Sequence, residues 1–255
     1  METITEIAVL PGRDRRGETE SFDRIAIRPG DTISIVGPTG SGKSAFINDI
    51  EVFAQADTVT GRSVLVNGEA PSEAICRDPA MKPIALITQN SKCLADLPVQ
   101  DFLALHIASR RIGDVDLVDR TVAQANEFTG EAIGRTTRMT ALSGGQTRAL
   151  MIADALLVSN TPIILLDEIE NAGIFKDRVI ARLKEHDRAV IFVTHDPLVS
   201  LLSDRRIVMR EGAVVDVLEP NGTEREALAE LSAIDDRLSS VRERIRSGEV
   251  LAGGS

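Results

Sequence analysis

Two short segments of the chain combine residue types that hold anions. Gly37-Pro38-Thr39-Gly40-Ser41-Gly42-Lys43-Ser44 has the GxxxxGK[ST] spacing of a phosphate loop. Glycines let such a loop curl until successive backbone N–H groups face one phosphate, and a helix opening behind it adds positive potential. Lys43 would neutralise the β and γ oxygens of a triphosphate, and the Ser44 hydroxyl is offered to Mg²⁺. A match of this kind arises by chance in about 1 % of chains this long. Gly40 to Ala45 also fits GxGxxA, the start of a dinucleotide fold, but that alternative leaves Lys43 and Ser44 without a role. The second segment is Leu142-Ser143-Gly144-Gly145-Gln146, followed by the helical pattern Thr147 to Val158. Ser143 fits an N-cap, and the glycines expose backbone donors, so this too is an anion site. One nucleotide does not need two such helix starts from the same chain.

The elements that must position these segments follow from hydrophobic patterning. Ile33 to Val36, Ile84 to Ile87, Ile163 to Leu166 and Val190 to Val193 are β-branched runs that read as buried strands, with amphipathic stretches between them. That alternation predicts an α/β fold with a mainly parallel sheet. From about Ala95 to Ala141 the pattern changes. Val99, Phe102, Leu103 and Ile107, then Val115, Val118 and Val122, recur at helical spacing with no strand between them, which predicts a helical insertion over 95–141. A last strand, Ala213 to Leu218, gives way at Pro220 and Gly222 to a charged helix. Its seam of Leu231, Ile234, Leu238, Val241 and Ile245 is spaced 3, 4, 3, 4 and is expected to pack back on the domain, a partner-binding seam being the alternative. The chain therefore divides at about 219, with 220–255 a helical extension ending in a Gly-rich tail, Ala252 to Ser255, expected to be disordered.

Composition narrows the classes of function. The 255 residues suffice for one sizeable core, and a net charge of −10 repels a phosphate backbone, so wholesale nucleic-acid binding is not expected. Cys76 and Cys93 have neither CxxC pairing nor histidine partners at ligand spacing and read as reduced thiols of a cytosolic protein. Glu2 and Glu6 stand where a signal peptide wants positive charge. No run of roughly 18 apolar residues occurs, because Ala155 to Leu166 is interrupted by Ser159, Asn160, Thr161 and Pro162.

With the phosphate loop and LSGGQ both present, in that order, the chain resembles the ATP-binding subunit of ATP-binding-cassette (ABC) proteins over roughly Ile4 to Leu218. The resemblance implies a P-loop NTPase core of ABC type, with a mainly parallel sheet, an antiparallel β subdomain and the helical insertion. It also assigns roles. Ile163-Ile164-Leu165-Leu166-Asp167-Glu168 looks like the Walker B strand, with Asp167 toward Mg²⁺ and Glu168 toward the attacking water. Gln89 fits the Q-loop glutamine at metal and water, and His195 the switch histidine at the γ-phosphate. His106 and His186 fall in helical patterns and take a structural role. The implied mechanism closes two cassettes head to tail, with ATP between Gly37–Ala45 of one and Leu142–Gln146 of the other. A homodimer is the expected pairing, with separate transmembrane permease subunits. The chain would then be cytoplasmic, on the inner face of the membrane.

Three departures stand out. Members of the family usually carry an aromatic residue about two dozen positions before the phosphate loop to stack on adenine. Here that region reads Gly12-Arg13-Asp14-Arg15-Arg16-Gly17, and the chain has neither Tyr nor Trp. Either a guanidinium of Arg13, Arg15 or Arg16 stacks on the base, or the segment is a solvated basic loop. After Glu168 the chain reads Ile169-Glu170-Asn171-Ala172-Gly173-Ile174-Phe175, without the family's usual D-loop aspartate. After LSGGQ it has Asp154 where Arg is usual, in Ala153-Asp154-Ala155-Leu156. Two functions of different class fit. The first is a transporter ATPase, supported by the compact Gln89 to Ser143 interval and by Val99-Gln100-Asp101-Phe102-Leu103. The alternative is a soluble ABC ATPase for iron–sulfur assembly or protein-complex remodelling, suggested by Ile169 after Asp167-Glu168.

Overall fold

A computed structural model describes residues 3–78, 81–88, 96–168, 173–246 and 248–250. In chain order the described elements begin with β1 (Ile7–Leu10), β2 (Ile25–Ile27), β3 (Thr32–Val36), α1 (Lys43–Glu51), β4 (Ser63–Val66), α2 (Glu73–Arg77) and β5 (Ile84–Ile87). Two helices, α3 (Val99–Ser109) and α4 (Leu117–Phe128), follow, with a 3₁₀ turn at Met139–Ala141 and then α5 (Gly144–Leu157). The chain continues through β6 (Ile163–Asp167), α6 (Lys176–Glu185), β7 (Ala189–Val193), α7 (Pro197–Leu202), β8 (Arg205–Arg210), β9 (Ala213–Leu218) and α8 (Gly222–Arg246).

The fold is α/β with two sheets. A six-stranded sheet has the order β5-β6-β7-β3-β8-β9, parallel except for the antiparallel β8–β9 hairpin, and a smaller antiparallel sheet has the order β2-β1-β4. Parallel strands buried on both faces need apolar residues at every position, and the period of two then sorts them by face. Along β6, Ile163 and Leu165 join the core shared with the small sheet and α1, while Ile164 and Leu166 join the core under α3 to α7. β7 divides the same way, with Ile191 and Val193 on one side and Val190 and Phe192 on the other. Between β5 and β6 the described residues hold helices and no strand. Val115 does not join the helical stripe expected of it, because it precedes α4 and is 89 % exposed.

One fully buried ion cluster binds the small sheet to the large one. Arg62, 0 % exposed, grips Glu20 with two hydrogen bonds, Nε to Oε2 at 2.8 Å and Nη2 to Oε1 at 2.7 Å. Its Nη1 reaches Asp49 of α1 at 3.1 Å, and Nη2 also donates to the Gly212 carbonyl at 2.8 Å. Thr58 and Thr60 donate to Asp49, and the backbone N–H groups of Gly12 and Val214 donate to Glu20. The guanidinium lies 5.0 Å from the Phe46 ring centroid. Every charged atom has a partner, which is the condition under which buried ions are tolerated.

α8 departs from expectation. Its first turn is held by a reciprocal cap, with Glu224 N donating to Asn221 Oδ1 and Asn221 N to Glu224 Oε2. Arg206 of β8 hydrogen-bonds Glu224 at 2.7 Å and holds its carboxyl below the usual carboxylate range. The helix leans on α7, yet the seam is not packed back on the domain: Ile234 and Leu238 are each 48 % exposed and Ile245 57 %. A 25-residue helix leaving the surface of a small domain outruns the surface available to cover it. The Ala252 to Ser255 tail lies outside the described residues.

Arg62→Met should destabilise the protein by about 3–5 kcal/mol, because it leaves Glu20 and Asp49 buried without their cation. Denaturant unfolding monitored by circular dichroism would measure this. The double variant Glu20→Gln/Arg62→Met should recover part of the loss, and a single variant as stable as the parent would contradict the role given to the cluster.

Candidate functional site

Parallel strands deliver their carboxyl ends to one edge of the sheet, where the loops can meet a ligand. The phosphate loop follows β3, Asp167 and Glu168 end β6, His195 follows β7, and the Glu211–Gly212 turn follows β8. Because β3 lies between β7 and β8, the loop has Glu168 and His195 on one side and the β8–β9 turn on the other.

The loop is tightly seated. Gly37 has φ +150°, and a Cβ there would lie 2.3 Å from the Met209 carbonyl oxygen. Gly42 has φ +102°, and its Cβ would lie 3.0 Å from the Gly212 Cα. Gly212 N donates to the Ser41 carbonyl at 2.9 Å, which ties the loop to the β8–β9 turn. Gly42 is the N-cap of α1 in a left-handed conformation, with no side-chain cap and no acidic residue in the first turn, so positive helix potential faces the loop. Lys43 is buried, and its Nζ donates to the carbonyls of Gly37 at 2.8 Å and Pro38 at 3.1 Å. Ser41 is 4 % exposed, and its Oγ has no hydrogen-bond partner among the described residues.

A cleft runs along this loop. Thr39, Gly40, Gly42, Lys43, Ser44 and Ala45 form its floor, and Glu168, Val193 and His195 stand on one side. Arg15 also lines it, a residue that falls outside every site motif. Glu168 Oε1 and His195 Nε2 are 3.8 Å apart, and Glu168 takes φ +51° at the strand end, its N–H donating to the Val193 carbonyl at 3.0 Å. His195 is set by its neighbours in the chain: Thr194 is buried, its hydroxyl accepts from Asp196 N, and Asp196 caps α7 and pairs with Lys176. Asp167 closes β6 beside Val193 of β7, next to the cleft residues. Gln89 lies outside the described residues, as do Ile169 to Ala172 of the altered D-loop.

Leu142 to Gln146 do not line this cleft. Ser143 is the N-cap of α5 in a complete capping box, Oγ accepting from Gln146 N at 3.2 Å and Gln146 Oε1 accepting from Ser143 N at 2.9 Å. The Ser143 hydroxyl donates to Glu131 Oε2 at 3.0 Å, and Gln146 Nε2 holds the Ala132 carbonyl. Ser143 and Gly144 are exposed. One turn along α5, burial lowers the pKa of Arg148 from the ordinary arginine value. Asp154, unexplained by the sequence, accepts from His106: the two meet at 2.8 Å, and Arg110 Nε donates to His106 Nε2 at 3.0 Å. Arginine can only donate, so Nε2 accepts and Nδ1 carries the proton toward Asp154. The chain thus links α3 to α5, and it was missed because its members lie 48 residues apart.

Comparison with known proteins agrees with this geometry. A family profile described as "ABC transporter" matches residues 23–171. An uncharacterized ABC transporter ATP-binding protein of Methanocaldococcus jannaschii is 44 % identical over 97 % of this chain and 95 % of its own length. The energy-coupling factor transporter ATP-binding protein EcfA1 of Streptococcus sanguinis is 27 % identical over 96 % of this chain and 90 % of its own. Among solved structures, cbiO1 of Clostridium perfringens, part of the ABC transporter complex cbiONQ, superposes with a TM-score of 0.66. It is 21 % identical, covering 94 % of this chain and 100 % of its own.

Gly37→Ala should lower ATP affinity at least about tenfold, since the added methyl must displace a backbone carbonyl rather than a side chain. Titration with a fluorescent ATP analogue would read this, and unchanged affinity would show that the loop tolerates displacement from β8.

Proposed function

The chain belongs to the ABC transporter family, as an ATP-binding subunit that hydrolyses ATP to energise transport, and we propose that it works as one of two cassettes closing head to tail. One observation carries the pairing. The chain presents two anion-binding helix starts, and only one of them lines its cleft. The exposed start of α5 is complete and has no nucleotide of its own, so its phosphate is the one held by a second cassette. The homodimer is the simplest such pair.

The assigned roles follow from charge. Lys43, held beside the loop, moves its ammonium from two neutral carbonyls to phosphate oxygens, a stronger contact because the acceptor is then charged as well. The amides of the Gly37–Ala45 segment and a Ser41 hydroxyl with no partner among the described residues supply further donors. Glu168 is the base that orients water, His195 faces the γ-phosphate, and the opposing Ser143 donates to the same group. The Ser44 hydroxyl and the Asp167 carboxylate are hard oxygen donors suited to Mg²⁺, and the family resemblance adds Gln89, which lies outside the described residues. A Mg²⁺ held by so few protein ligands takes the rest of its coordination from phosphates and water. Mg²⁺ there would neutralise charge on the transferring phosphoryl.

We place the chain in the cytoplasm against separate membrane-spanning permease subunits. No helix among the described residues is long and apolar enough to cross a membrane. α3 carries the exposed Leu105 that would meet such a partner. The similar proteins are named as transporter ATP-binding proteins, and nothing favours the iron–sulfur assembly alternative.

Glu168→Gln should bind Mg-ATP, cut turnover by two orders of magnitude or more, and accumulate as a dimer on size-exclusion chromatography in ATP. Lys43→Ala should lose nucleotide binding and stay monomeric. Undiminished turnover in Glu168→Gln would remove it as the base. Tagged Glu168→Gln recovered from its host's membranes with a stoichiometric polytopic protein would support transport, whereas soluble partners alone would overturn it.

A further inference from the structure

We propose that Lys176 is a positioning residue for the reaction: through Asp196 it holds His195 opposite Glu168, so its loss should slow hydrolysis without weakening ATP binding. The inference rests on the reading above that His195 faces the γ-phosphate, and it adds a residue that no site motif contains. Three observations carry it.

The first is that the chain between Glu168 and Lys176 is fastened at both of its ends to the end of β7. At one end Glu168 N donates to the Val193 carbonyl at 3.0 Å, and at the other Lys176 Nζ donates to the Asp196 carboxylate. Both side chains of that ion pair are only 15 % and 13 % exposed, so salt screens the contact less than it would a surface pair. The two carboxylate oxygens of Asp196 divide the work. Oδ1 accepts from Leu198 N at 2.8 Å and caps α7, while Oδ2 takes the ammonium. Asp196 N donates to Thr194 Oγ1 at 2.9 Å, so the residues on either side of His195 are tied to each other and, through Lys176, to the start of α6.

The second observation is that Lys176 runs against the preference of its own helix. It is the first residue of α6, where the helix dipole disfavours a cation, and the N-cap, Phe175, supplies no side-chain bond to offset this. Contacts across the fold account for it instead. Phe175 N donates to the Phe128 carbonyl at 2.8 Å, Ile174 pairs with Thr129, and the Arg178 guanidinium lies 4.3 Å from the Phe175 ring centroid. The backbone that carries Lys176 is thus moored to the end of α4, and the lysine stem crosses from there to the loop after β7.

The third concerns His195 itself. Its side chain is 46 % exposed, so core packing does not set its place. Nor does a bond to Glu168, because Oε1 and Nε2 are 3.8 Å apart, beyond hydrogen-bond reach. Placement of the ring therefore leans on the 194–196 backbone, in which Thr194 is fully buried and Asp196 is the residue that Lys176 holds. A catalytic group displaced by about 1 Å can lose on the order of a hundredfold in rate, so a bond to the adjacent residue is enough to matter.

Steady-state ATPase kinetics of the full chain with Mg²⁺ test this. Lys176→Met should lower kcat about tenfold or more and leave KM for ATP within about threefold of the parent. Asp196→Asn should do the same, because asparagine still caps α7 but offers the ammonium no charge. Lys176→Arg should restore most of the rate, since it keeps a cation on the carboxylate. The decisive readout is coupling: Lys176→Met added to His195→Ala should cost no more than about twofold beyond His195→Ala alone, as expected of two residues acting through one. Parental kcat in Lys176→Met, a loss carried by KM alone, or an undiminished further loss on top of His195→Ala would each overturn the proposal. His195→Ala also serves as the reference. If that variant keeps the parental rate, the role given to His195 fails and the proposal falls with it. If it is slowed while Lys176→Met is not, the proposal alone fails.

Discussion

The nucleotide cleft depends on a backbone held against a backbone, a contact that a buried charge cluster reinforces. Gly37 approaches the β8–β9 hairpin closer than any side chain would allow, and Gly42 packs tightly against it. The Ser41 carbonyl, accepting from Gly212 N, ties the loop to the hairpin directly. Arg62 reinforces that contact, donating to the Gly212 carbonyl while its other donors hold Glu20 and Asp49. Asp49 belongs to the helix that the loop opens, and Glu20 ends the segment that carries Arg15. Three walls of one cleft are thereby referred to one guanidinium. Replacing the cluster with hydrocarbon of equal volume could match its stability, but hydrocarbon has no direction. The five N–H groups of an arginine do, and they fix the walls relative to one another.

The same economy explains the division between the two sheets and the helical part of the chain. The parallel sheet has two apolar faces, and each is covered differently. One is closed by α1 and the small antiparallel sheet, which belong to the phosphate side. The other is closed by α3, α4, α5 and α6, which carry the Leu142–Gln146 segment. A face must be covered somewhere, and covering the second face with helices sets the α5 start on an exposed surface away from the cleft. Separation of the two anion sites within one chain is thus a consequence of how the sheet is buried. In the proposed pairing it is also what leaves each cassette incomplete without another.

Much of this was legible in residue order because the signals were local. A phosphate loop, a capping serine and a strand ending in Asp-Glu each occupy a few consecutive positions, and β6 and β7 appear as apolar runs because both of their faces are buried. What escaped was assembled across distance. Glu20, Asp49, Arg62 and Gly212 share no period or spacing, and as isolated charges three of them read as surface residues. Asp154 looked anomalous until His106 and Arg110 were beside it. The four residues of β4 and three of β2 are too short to stand out alone. The α8 seam shows the opposite failure: its spacing correctly marks a helix, but periodicity reports which residues share a face, not whether anything covers that face.

The state of Ser143 completes the physical picture. In the single chain its hydroxyl proton already goes to Glu131, and its lone pair already caps α5. A phosphate arriving from another cassette therefore competes with a carboxylate for one proton, and it meets that carboxylate's negative charge at the same helix start. Opposing this are the aligned α5 amides, whose attraction grows with the charge of the incoming anion. A triphosphate terminus carries more negative charge than a single carboxylate and offers three oxygens instead of one in contact, so it can displace Glu131 where a less charged group would not. In the proposed pairing, the surface that would join the two cassettes is satisfied when alone and is exchanged only for a strongly anionic ligand, the property required of an interface that is to open again once the γ-phosphate is gone.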